Sequence, residues 1–374
     1  MAWLRRWLRE WKNGGAATMA MRTITRFLSG ALLAALFLPV MLLGQERAVD
    51  FFNRGKDEAS RGEVAAAITN FTRTIQLAPK YPDAYVERGL ALEKLGDTNG
   101  ALADFSAAIT LAPRFIQAYF DRADLQYRQR DYDGAVADYG VIIKFEPNNS
   151  AAYGNRANAL WDKGDLDAAY TNYSRAMRLN PGDANMIGNL AEFTLVVRTN
   201  SLVAERLFRR CLELNPQDSF HMRQYAGMLR EEHTNLDEAE RLYRKIVELN
   251  PTNAIDAREC ASFLYFERTN LDDAERLFRK MYELSPADPT NAVALAYFLQ
   301  NARTNSGESE SLLRKAVKLA PNDADVEFYL GGFLQEVRTN FAEAEACYRK
   351  VIELDPRNAF ELNDIGIFLG NYSG

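Results

Sequence analysis

Residues 119–149 read YFDRADLQYRQRDYDGAVADYGVIIKFEPNN. Tyr119 is followed four residues later by Ala123, Ala135 is followed four later by Tyr139, and Pro147 closes the stretch. A small and a large residue four apart lie on one helix face. The stretch therefore reads as two amphipathic helices that meet through small-residue contacts and stop at a proline.

Working outward, nine of the twelve prolines keep this register. Pro79, Pro113, Pro147 and Pro181 are 34 apart, then Pro216, Pro251, Pro286, Pro321 and Pro356 are 35 apart. Twelve residues before each stands an alanine, or Ser309 in one unit, and eight before stands an aromatic, or Leu313 in that unit. Upstream, Phe51/Gly55, Tyr85/Gly89 and Tyr153/Ala157 repeat the aromatic-to-small spacing of Tyr119/Ala123. In the 35-residue units the small residue persists at Ala191, Ala226, Ala261, Ala296 and Gly331.

These residues resemble the tetratricopeptide repeat, whose aromatic, Gly/Ala, Ala, aromatic, Pro pattern runs over 34 residues. The resemblance covers residues 46–374. It implies an all-α, right-handed α-solenoid of stacked helix-turn-helix repeats, with the first helix of each pair lining a concave groove. The organisation expected is repeats 1–4 over 46–181, repeats 5–9 over 182–356, and a half-repeat helix over 357–374.

The extra residue of the longer units falls between their helices, at Arg198–Asn200, His233–Asn235, Arg268–Asn270, Arg303–Asn305 and Arg338–Asn340. Each asparagine replaces Asp131 or Asp165 of the shorter units and is expected to cap the second helix through its side-chain oxygen. Asn235 with Glu238 and Asn340 with Glu343 have capping-box spacing. The arginine before each Thr-Asn is expected to cover the preceding helix C-terminus. Glu240/Arg244, Glu275/Arg279 and Glu310/Arg314 read as i, i+4 pairs on a solvated stripe.

Ahead of the repeats, residues 27–43 (FLSGALLAALFLPVMLL) carry no charge and follow Arg22 and Arg26. A basic region, an apolar run and a small residue, Gly44, describe a secretory signal peptide; an uncleaved signal anchor is the alternative. Either way residues 1–44 are a targeting segment, and the repeats are expected outside the cytoplasm, periplasmic or secreted, or anchored in the membrane through that segment alone. Residues 1–44 hold six bases against Glu10, so the net charge of −6 for the chain becomes −11 for the remainder. Such an acidic body is not expected to bind nucleic acid, because phosphate neutralisation needs surplus Lys and Arg.

Cys211, Cys260 and Cys347 are widely spaced, without the density of a disulfide scaffold, and read as small buried hydrophobes. His221 and His233 offer no metal-ligand spacing and no base beside a nucleophile. No phosphate loop, carboxylate pair or nucleophile elbow interrupts the repeats. No catalytic residue, cofactor or metal is expected.

A solenoid presents an extended surface and little enclosed volume, which suits binding a protein or peptide better than excluding water from a reaction. The expected function is a non-enzymatic scaffold. The resemblance places Phe120, Asp121, Asp124, Tyr127, Asn155, Asn158 and Trp161 in the groove, with Arg223 and Arg258 in the longer units. Asn155 and Asn158 would meet peptide amides, while Tyr127 and Trp161 supply apolar area. An alternative follows from the end of the chain, where Ile365, Ile367, Phe368 and Leu369 make an apolar terminal helix. These either cover repeat nine or support head-to-tail self-association as a structural protein.

Overall fold

The computed structural model describes residues 47–357 and 365–366, and among these every regular element is a helix. Residues 27–43, Ile367, Phe368 and Leu369 lie outside the described residues. Among the described residues no helix is long and apolar enough to cross a membrane. The chain separates into two compact units, one ending at Pro181 and one beginning at Gly182.

The first unit pairs α1 (47–60) with α2 (Val64–Leu77), α3 (Pro82–Lys94) with α4 (Thr98–Leu111), α5 (Ile116–Arg128) with α6 (Tyr132–Phe145), and α7 (Ser150–Lys163) with α8 (Leu166–Leu179). Phe71, Phe105, Tyr139 and Tyr173, the residues eight before each proline, are buried. The partner helix must come close to cover them. A Cβ on Gly55 or Gly89 would lie 2.7 Å from the Phe71 or Phe105 ring, well inside contact distance, so only glycine admits this approach. Between helices, Gly96 turns at φ 82° and Gly164 at φ 92°, and Asp165 N–H reaches back to the Leu160 carbonyl at 2.8 Å. That left-handed residue and six-residue bond are a Schellman stop. Asp97, Asp131 and Asp165 then cap the second helices.

The second unit pairs α9 (Ala184–Val196) with α10 (Ser201–Leu214), α11 (Ser219–Glu231) with α12 (Leu236–Leu249), α13 (Ala254–Phe266) with α14 (Leu271–Leu284), α15 (Pro289–Arg303) with α16 (Ser306–Leu319), and α17 (Ala324–Glu336) with α18 (Phe341–Leu354). Its extra residue lengthens the turn, so Asn270 N–H now bonds the carbonyl of Leu264 six positions back. Threonine takes the left-handed position, at φ 48° for Thr199, 51° for Thr269, 54° for Thr304 and 50° for Thr339. For an L-residue with a branched Cβ this costs roughly 1–2 kcal/mol. Asn200, Asn270, Asn305 and Asn340 accept from the third N–H of the following helix. Asn235 departs from the expectation: it is itself left-handed at φ 42° and makes no side-chain cap, because the turn at His233 already bends at φ 49°.

The two units build their cores differently. In the second, one apolar cluster runs from Ala191 to Ile365. In the first, described clusters gather separately around Phe71, Phe105 and Tyr139. The position preceding the small residue explains the contrast. Arg88 and Arg122 occupy it in the first unit and make two-pronged ion pairs with Asp104 and Asp138, each contact 2.7 Å. The second unit puts Tyr225/Leu242, Cys260/Leu277, Leu295/Leu312 and Leu330/Cys347 there, all buried. Cys260 and Cys347 thus fill core positions, and burial pushes both thiols up to about 12.

The arginines before Thr-Asn do more than cover a helix end. Arg268 reaches back to Glu240 at 2.8 Å and Asp237 at 2.7 Å, while Arg244 binds Glu240 at 2.9 Å and Asp273 of the next pair at 2.7 Å. Arg303 with Glu275, Arg279 with Glu308, Arg338 with Glu310 and Arg314 with Glu343 continue the ladder. Glu240, Glu275 and Glu310 therefore each also receive the arginine of a neighbouring turn. The stripe is a cross-repeat network of partly exposed charges, the kind that salt screens.

Candidate functional site

Among the expected groove residues of the first unit, Tyr127 lies where the first helices α3, α5 and α7 make contact. Tyr127 on α5 donates its hydroxyl to Asp162 on α7 at 2.5 Å, and Arg128 pairs with Glu93 on α3. Each contact spans 35 residues, one more than the repeat, and links successive first helices. Glu87, Glu93, Asp121, Asp124 and Asp162 give this face an acidic character that the groove assignment only partly anticipated.

Asp121 is its most unusual member. One carboxylate oxygen accepts from Gln117 Nε2 at 2.8 Å, while the other is buried without a hydrogen-bond partner. Burial first, then the nearby charges of Asp124, Glu93 and Glu87, push its carboxyl up to about 6. A buried acceptor left open costs about 1–3 kcal/mol, and a donor delivered by a ligand would recover that cost.

Several neighbours are more structural than expected. Asp124 accepts the hydroxyl of buried Tyr139, and Asn158 accepts that of Tyr173 at 2.5 Å. Burial and the Asp124 bond hold the Tyr139 hydroxyl protonated. The equal 15-residue spacing of Asp124/Tyr139 and Asn158/Tyr173 was available in the sequence as a signal of pairing. Phe120 sets its ring against Tyr139 at 6.1 Å, and Asn155 and Trp161 are partly buried.

Arg223 is committed elsewhere. Its guanidinium on α11 pairs with buried Asp256 and with Glu259 at 2.9 Å, so it braces α11 against α13. Arg258 is partly exposed on α13. The second unit instead carries an apolar cleft of about 500 Å³, lined by Tyr265, Phe266, Val293, Tyr297, Val326 and Tyr329 among others. Tyr297 and Tyr329 escaped notice because each stands at a different offset from its unit's small residue, so no period aligns them. Ile365 lies buried in the core of its own unit, which removes it from any surface available to another chain.

Cys211, Asp218 and His221 also converge, their ligand atoms lying within 4.8 Å of one another. Their separation over two helices hid this from spacing. The cluster serves the fold: Asp218 caps α11 through the His221 N–H at 3.1 Å and takes His221 Nδ1 at 2.7 Å, while His221 Nε2 meets Asn189 Oδ1 at 3.3 Å. The Cys211 thiol is pushed up to about 12 by burial and by Asp218.

Comparison with known proteins accords with this architecture. A family described as TPR repeat matches residues 55–96, and two described as tetratricopeptide repeat match residues 120–184 and residues 82–115 with 339–358. The C-terminal part of a TPR repeat-containing protein from Cytophaga hutchinsonii is similar at a TM-score of 0.54 and 15% identity, covering 65% of this chain and 98% of that one. MamA from Desulfovibrio magneticus RS-1 reaches 0.43 at 19% identity over 46% of this chain and 97% of its own. Yeast Tom70 reaches 0.45 at 14% over 88% and 89%. No curated protein matches the chain. The chain thus carries tetratricopeptide repeats in an all-α stack of helix pairs.

Proposed function

We propose that this protein is a non-enzymatic scaffold that binds a basic or donor-rich peptide segment along the face shared by α3, α5 and α7. The observation carrying this reading is Asp121, whose buried oxygen has no hydrogen-bond partner on an already acidic face. A lysine, arginine or amide donor from a partner would satisfy that oxygen and offset the repulsion from Asp124, Glu93 and Glu87. Charge-assisted bonds of this kind are roughly twice as strong as neutral ones. The amide of Asn155 and the rings of Tyr127 and Trp161 supply polar and apolar contact beside it. The apolar 27–43 run supports an exported or membrane-tethered location, with the repeats outside the cytoplasm.

The test is co-purification of the full chain from its own cells, wild type against Asp121→Asn and against Asn155→Ala with Trp161→Ala, with circular dichroism checking that each variant folds. Partners should be lost from both variants. Retention of every partner by folded variants would remove the groove assignment. N-terminal sequencing of the mature protein and cell fractionation test the location, and a chain retained in the cytoplasm would refute export.

A further inference from the structure

Three successive repeats of the first unit place an arginine at the same level of their first helix: Arg88, Arg122 and Arg156. Each lies beside an aromatic ring, with cation-to-centroid distances of 5.8 Å to Tyr85, 5.9 Å to Tyr119 and 5.5 Å to Tyr153. For the first two, every edge of the guanidinium is engaged. Arg88 holds Asp104 in a fork and gives Nη1 to Thr72 Oγ1 at 3.2 Å. Arg122 does the same with Asp138 and with Ser106 Oγ at 2.9 Å.

The third repeat breaks the pattern at three positions. Where Asp104 and Asp138 stood there is Asn172; where Thr72 and Ser106 stood there is Gly140; and where Ala107 and Val141 stood there is Arg175. One negative charge and one hydroxyl are gone, and one positive charge is added. Arg156 Nε still meets Asn172 Oδ1 at 2.8 Å. Gly140 is too small to bond Nη1; even a Cβ built there would stay 3.8 Å away. Arg175 shares the Tyr153 ring at 5.8 Å. Among the described residues no carboxylate pairs with Arg156 or Arg175. Burial lowers the Arg156 pKa, and no neighbouring acid supports its charge.

We infer that Arg156 and Arg175 form a binding site for an oxyanion, supplied by an acidic or phosphorylated side chain of a bound peptide. A partly buried charge without a counter-charge is costly. The two Nη groups of Arg156 present an end-on fork matching the oxygens of a carboxylate or phosphate. The ligand oxygens would take the role that Asp138 and Asp104 fill internally one and two repeats earlier. The site does not rest on the groove reading.

The test uses the intact chain at pH 7.5. Inorganic phosphate and acetate are titrated against sodium chloride at equal ionic strength, following the thermal midpoint and heat of binding. The wild type should show saturable binding beyond the chloride effect. Asn172→Asp restores the internal carboxylate, so it should raise the starting midpoint and weaken anion binding at least tenfold, as should Arg156→Gln. A short glutamate peptide and its phosphoserine counterpart then distinguish the two sources. Undiminished binding by Asn172→Asp, a lowered midpoint for that variant, or a wild-type response equal to that of chloride would each overturn the assignment.

Discussion

Replacing Asp121 by asparagine should make the protein more stable and less able to bind. The Asp121 carboxyl is raised from 3.8 to about 6, so in the folded state it holds its proton more tightly than in the unfolded chain. Stability from this group is fully present below its unfolded pKa and is lost as pH rises through about 6. At neutral pH the native protein therefore carries the cost of a poorly solvated carboxylate. A shift of about two units corresponds to roughly 3 kcal/mol. Asp121 is only partly buried, and solvent screening reduces this to about 1–1.5 kcal/mol. Asparagine keeps the oxygen that accepts from Gln117 and turns the open oxygen into a donor facing Asp124, Glu93 and Glu87. The expected result is slower hydrogen exchange across α5 at pH 7.5, with the difference from wild type vanishing near pH 4. Exchange is the right readout because a stack of repeats need not unfold in one step. A variant less stable than wild type at pH 7.5, or an advantage independent of pH, would refute the argument.

Three further substitutions probe the stack itself. Gly89→Ala drives a Cβ to 2.7 Å from the Phe105 ring and should cost about 1–3 kcal/mol; an unchanged urea midpoint would mean that the ring can move aside. Thr269→Asn relieves a branched residue at φ 51° and should raise the urea midpoint by the equivalent of about 1 kcal/mol, whereas Thr269→Gly gains less because the unfolded chain becomes freer. Arg279→Ala removes contacts to Glu275 at 2.9 Å and Glu308 at 2.7 Å and should cost a few tenths to about 1 kcal/mol. That loss should fade in 1 M salt, where the screening length is about 3 Å; a salt-independent loss would point to packing by the arginine stem.

Much of the architecture was legible because it is local and repeated. Pro79 through Pro356, the alanines and the aromatics recur at 34 or 35, and each repetition marks the same helix pair, so a weak signal in one copy becomes a strong one in nine. Asn270 and Asn340 were readable as caps because a cap needs only the next few N–H groups. Asn235 was not, since its conformation depends on the bend already made at His233. The network of Arg268 and Arg303 was also hidden, as a stripe of i, i+4 pairs does not reveal that the glutamate has a second arginine from the neighbouring turn.

The candidate sites divide along the same line. From sequence came the repeat register and the helix pairs, because helical periodicity and backbone capping are properties of short segments, and, through the family resemblance, the candidate residues of the first helices. Only the tertiary structure decided which of those residues were already engaged: Asp124 and Asn158 by buried tyrosines, Arg223 by Asp256 and Glu259, Ile365 by its own core. The state of Asp121 and Arg156 likewise depends on what neighbouring helices bring within hydrogen-bond distance. Burial and charge pairing are set by residues from other helices, and no local pattern encodes them.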